Sequence, residues 1–134
     1  MTPAETPIVN AMLLCEHVHR DSASGKHTLF AVFDEVQGSR FPVDLDTFAV
    51  YLNLTNMRGR YKVDLRWLRG DTEDELVHLG SLDDVEIADP LSRTELVLWG
   101  ESLPFPGPGR HVLRLAMNDR HVHDYVRMVT ETRE

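Results

Sequence analysis

Between residues 47 and 67 the chain alternates apolar and polar side chains with a period of two, and that pattern restricts it to sheets. Phe48, Val50, Leu52 and Leu54 fall on one side of an extended segment, with Ala49, Tyr51, Asn53 and Thr55 on the other, because successive side chains of a strand point to opposite faces. Tyr61, Val63, Leu65 and Trp67 repeat the alternation against Lys62, Asp64 and Arg66. The intervening Met57-Arg58-Gly59-Arg60 reads as a turn, so the spacing predicts an antiparallel hairpin with one apolar and one wet face.

The same signal recurs along the chain. Strands are predicted over Ile8–Val18, His27–Gln37, Glu75–Leu82 with a continuation to Ile87, Thr94–Leu103, Arg110–Asn118 and Arg120–Thr130. The first two are hinged on Asp21-Ser22-Ala23-Ser24-Gly25-Lys26 and closed by Phe41-Pro42, a run of residues suited to turns. No segment carries a capped stripe of helical period. The expected fold is all-β, an antiparallel β-sandwich of seven to eight strands, immunoglobulin-like or similar. One domain is expected over residues 8–134, after a loose lead-in over residues 1–7 where Pro3 and Pro7 resist pairing. The segment from Leu103 to Gly109 holds three prolines and two glycines, which predicts a stiff connection outside any ladder, with Phe105 plugging the end of the core.

A length of 134 residues suits one core, and 42 % hydrophobic with 27 % charged residues is ordinary for a globular domain. Twenty-two acids against 14 bases give a formal charge of −8. Nucleic-acid binding is excluded, since Arg58, Arg60, Lys62, Arg66 and Arg69 are interleaved with acids or confined to one strand and its turn. Nothing resembles a secretion signal or membrane span, and the single cysteine, Cys15, cannot form an internal disulfide; a cytoplasmic location is expected.

Leu13-Leu14-Cys15-Glu16, Gly25-Lys26-His27-Thr28-Leu29, Val32-Phe33-Asp34-Glu35-Val36, Phe41-Pro42 and the Leu103–Gly109 segment with the following strand and its Asn118-Asp119 turn occur in this order. In this the chain resembles a bacterial domain-of-unknown-function family of small single-domain β-sandwich proteins. The resemblance spans nearly the whole chain and implies the fold. It implies no activity, cofactor or site residue.

Two His-Val-His motifs carry the most chemical character. His17 and His19, like His121 and His123, lie two apart on predicted strands and so share a face, the arrangement in which paired imidazoles chelate a divalent metal. Asp21 and Asp124 are available to orient them. The plain reading is solvent exposure: Val122, Val126 and Met128 mark the inward face of the last strand, turning His121, His123, Tyr125 and Arg127 outward. Cys15, with His17 as base, fails as a nucleophile, because it follows Met12-Leu13-Leu14 in a strand where burial raises a thiol's pKa. The acids Asp71, Glu73, Asp74 and Glu75, and Asp83, Asp84, Glu86 and Asp89, lack calcium-loop spacing and read as solvated loops. Trp67 belongs to the core by its alternation. Trp99 and Val97 oppose Leu96 and Leu98, leaving that strand apolar on both faces, so Trp99, Val97 and Tyr51 are candidate partner-binding residues. The expected function is a non-enzymatic interaction or accessory module that binds a protein partner or itself through an edge strand or apolar patch, without a resident cofactor. The alternative is a metal- or small-ligand-binding domain using the paired histidines.

Overall fold

The computed structural model describes residues 6–33, 36–87, 89 and 91–131. Residues 1–5 of the expected lead-in, and residues 34–35 of the expected second strand, lie outside the described residues. The fold is all-β, with eleven strands and no helix among the described residues: β1 (Ile8–Arg20), β2 (His27–Val32), β3 (Val36–Gly38), β4 (Val43–Leu45), β5 (Phe48–Thr55), β6 (Gly59–Arg69), β7 (Glu75–Ile87), β8 (Thr94–Gly100), β9 (Leu103–Phe105), β10 (Gly109–Met117) and β11 (Arg120–Glu131). They form a four-stranded sheet ordered β2-β1-β5-β8, a five-stranded sheet ordered β3-β11-β10-β6-β7, and a two-stranded β4-β9 sheet. All pairs are antiparallel except β3 with β11.

One apolar core is filled from both larger sheets. Leu14, Phe48, Val50, Leu52 and Leu54 come from the four-stranded sheet, and Tyr61, Val63, Leu65, Trp67, Leu113 and Leu115 from the other. Each of these large side chains contributes roughly 1.5–3 kcal/mol by leaving water. Trp67 anchors one end: it packs edge-on to Phe105 at 5.4 Å, stacks on His111 at 5.3 Å, and donates its indole N–H to the Pro104 carbonyl at 2.7 Å.

Several expectations need correction. Residues 47–56 and 61–67 do not form a hairpin, because β5 lies between β1 and β8 while β6 lies between β10 and β7. Alternation shows that a strand has an apolar face but not which strand it pairs with, and the segment after Asn56, with φ of 60°, carries the chain from one sheet to the other. The strand count rises from the expected seven or eight to eleven because β3, β4 and β9 are separate short strands. The proline-rich segment does pair: Leu103–Phe105 runs against Val43–Leu45 in a two-stranded sheet, where a proline interrupts little. Phe105 is fully buried beside Trp67, as expected of a residue closing that end of the core.

The facing of β11 is reversed in its second half, while in its first half Val122 packs against the core and His121 and His123 are exposed as expected. Tyr125 and Val129 are buried and Met128 is 51 % exposed. Tyr125 fits inside because its hydroxyl donates to the Phe33 carbonyl at 3.1 Å, leaving the ring free to pack; apolar identity alone therefore points to the wrong face. Nor is the second face of β5 wet, since Ala49 and Tyr51 are buried. Asp83, Asp84 and Glu86 belong to β7, where Arg60 reaches Asp84 and Glu86, and not to a loop.

Candidate functional site

The outer face of the four-stranded sheet holds a second, smaller apolar cluster of Cys15, Val18, Ala49 and Tyr51, with Leu13, Leu29 and Val97 against it. Its cover is the β1–β2 hairpin. β1 pairs with β5 only as far as Cys15–Ala49, and beyond that point pairs with β2 alone. The hairpin tip is closed by Asp21, which accepts from the Ser24 amide at 3.0 Å and hydroxyl at 2.6 Å, while Gly25 takes φ of 73°. His27 lies opposite Arg20 at this far end, yet its ring is 5.4 Å from Tyr51, a residue paired with Leu13. The arm therefore curls back over the sheet.

A polar latch holds it there. The Tyr51 hydroxyl donates a very short bond to Glu95, Asn53 donates to the Tyr51 oxygen at 3.2 Å, and His27 Nδ1 stands 2.8 Å from Glu95. The Tyr51 hydrogen bond and, next, the nearby His27 hold the Glu95 carboxyl below its ordinary range against the effect of burial. Burial and the Glu95 contact push the Tyr51 hydroxyl up.

Beside the latch the face is apolar and open. Val32, Cys15, Ala49 and Trp99 make one row across the four strands. Its small middle members are buried, while Trp99 is 56 % and Val32 39 % exposed. His17 fills the space above, 5.1 Å from Trp99 and 5.8 Å from Phe30, itself 50 % exposed. Cys15 donates its S–H to the Ala49 carbonyl at 3.6 Å, and burial pushes its thiol up, so it behaves as a small apolar residue.

The candidate partner-binding residues thus share one face: Tyr51 is directly paired with Val97, and Ala49 with Trp99. Tyr51 is buried, so of the three it is Trp99 that is open to solvent. Phe30, Val32 and His17 complete the patch; the sequence signal for the first two was their i, i+2 spacing on β2.

The two histidine motifs are not brought together. His17 and His19 lie on β1 of the four-stranded sheet, His121 and His123 on β11 of the other. His121 Nε2 contacts Asp124 at 2.8 Å; His19 and His123 are exposed. No group of three or more His, Cys, Asp or Glu side chains is placed to hold a metal among the described residues. Asp124 instead binds Arg114, 3.0 Å from Nε, and Arg114 reaches Glu73 at 2.9 Å. On the same sheet Asp64 accepts from Arg66 at 3.0 Å and contacts His78, and Arg66 also binds Glu75. These networks tie neighbouring strands of the five-stranded sheet and leave its outer face polar.

Edges distinguish the sheets further. β3 has three residues, and β7 has three register irregularities, positive φ at Gly80 and Asp84, and a run of acids. β2 ends near Ala31, whose φ is 54°. β8 pairs with β5 over seven residues without irregularity and holds neither proline nor lysine. Its one charge, Glu95, is turned toward Tyr51. Among the described residues it is the edge least protected against a further strand. No helix among them is long and apolar enough to cross a membrane.

The family described as "Family of unknown function (DUF6941)" matches residues 10–129. No curated protein matches the chain.

Proposed function

The chain belongs to this family of unknown function, and we propose that it works as a protein-interaction module of β-sandwich type, immunoglobulin-like or similar, whose docking surface is β8 with its Trp99 patch. We take the two larger sheets as the two layers, since both fill one core. The observation that carries the reading is the coincidence of an unprotected strand edge with an exposed tryptophan: main-chain groups of β8 offer hydrogen bonds to an extended segment, and Trp99 offers the large anchoring area typical of binding hot spots. Binding rather than catalysis fits Cys15, which is fully buried and bonded to a carbonyl instead of facing a substrate. A reducing bacterial cytoplasm is the setting we assign.

Native mass spectrometry of the protein recovered gently from its source lysate, compared with Trp99→Ala, tests this. The exposed position makes the substitution compatible with folding, which circular dichroism checks. Loss of the wild-type complex in the variant is the expected result; an unchanged set of complexes refutes the surface.

A further inference from the structure

Resting on that reading of β8 as a docking edge, we propose that its occupant is a second copy of this chain, paired antiparallel with β8 about a twofold axis at Val97. The register follows from the strand itself. With Val97 opposite Val97 of the second copy, Leu96 faces Leu98, Glu95 faces Trp99, and the flanking Arg93 faces Glu101, each pair occurring twice. Apolar residues oppose apolar ones at the centre, and opposite charges meet at both ends.

Structure and sequence agree on facing. Val97 lies across from Tyr51 and Trp99 from Ala49 on the outer side, while Leu96 and Leu98 pack against the core. Arg93 and Glu101 flank the strand, one just before Thr94 and the other at the bend just after Gly100, so opposed charges stand at both ends of the paired segment. Both are exposed, and neither forms an ion pair among the described residues. Pairing brings Arg93 and Glu101 of the two copies together, removes the unprotected edge, and joins two four-stranded sheets into one continuous sheet.

Charge reversal tests the register. Arg93→Glu places two acids opposite each other at each end, and Glu101→Arg places two bases there, so each variant alone self-associates on the order of ten-fold more weakly than wild type in sedimentation equilibrium. Mixed in equal amounts, the two variants have complementary charges at both ends, and native mass spectrometry should show their heterodimer in preference to either homodimer. A wild type that stays monomeric across the micromolar range overturns the second copy, leaving the docking reading to the Trp99→Ala comparison in lysate. A wild-type dimer that Trp99→Ala disrupts, but that neither charge reversal weakens, keeps the docking reading and overturns this register. A dimer indifferent to all three variants overturns both.

Discussion

Glu95→Ala should loosen the curled β1–β2 arm, and the structure sets the size of the effect. The carboxylate accepts the hydroxyl of Tyr51, a residue only 8 % exposed, and stands 2.8 Å from His27 Nδ1. Removing it strands a buried hydroxyl whose remaining neighbour, Asn53, already donates to it. A hydrogen bond to a charged group contributes about 1.5–3 kcal/mol, which sets the scale of the loss. We expect a loss of about 2–3 kcal/mol for Glu95→Ala and about 1 kcal/mol for Glu95→Gln, which keeps an acceptor but not the charge. Tyr51→Phe, which removes the hydroxyl, should couple with Glu95→Gln in a double-mutant cycle, because both variants break the same bond. Urea unfolding reads the loss as a lower midpoint at unchanged slope, and hydrogen exchange of the amides over residues 27–30 should accelerate more than that of β10. If Glu95→Ala stays within about 0.5 kcal/mol of wild type, the latch is not what holds the arm.

Two predictions concern pH. Asp124 is held below the ordinary carboxylate range chiefly by Arg114; at Asp64 burial is the largest single influence and pushes the carboxyl up, but His78 and Arg66 together outweigh it and hold the group below that range. A depressed carboxyl stabilises the fold above its unfolded pKa and loses that contribution as pH falls through the folded value, so unfolding followed against pH should show stability declining below about pH 4, less steeply in Asp124→Asn. His111 titrates in a different window: burial pushes its pKa down, and its Nε2 is buried without a hydrogen-bond partner among the described residues. The unfolded chain then takes up a proton that the folded one refuses, so stability falls as pH drops below about 6.5. His111→Phe, which keeps a ring against Trp67, should abolish that part of the pH dependence, and a decline as steep as wild type between pH 6.5 and 5 would refute this account.

Strand positions were legible because period-two patterning is local. Residues 47–56, 75–87, 110–118 and 120–130 all fall on strands close to where the alternation puts them. Pairing was legible at the Asp21–Lys26 hinge, where β1 and β2 form the expected hairpin, but not where it depends on what a turn does in space: the short link after Asn56 looks like a hairpin turn and instead changes sheets. Facing failed where an amphipathic residue sits inside. Tyr125 counts as outward by pattern, but one hydrogen bond to Phe33 makes its burial acceptable.

The candidate site shows the same division more sharply. That β8 is apolar on both faces can be read directly from Glu95-Leu96-Val97-Leu98-Trp99. A strand of that composition is equally suited to the middle of a sheet, and only the order β2-β1-β5-β8 puts it at an edge, where the same residues become an open template. The arm supplies the contrast. It covers the outer face over Tyr51 and Glu95 and sets His17 against Trp99, yet Trp99, Phe30 and Val32 stay 56 %, 50 % and 39 % exposed. It is on this apolar face, partly covered by the chain's own hairpin and bounded by an edge without bulge, lysine or proline, that the proposed docking of a further strand rests.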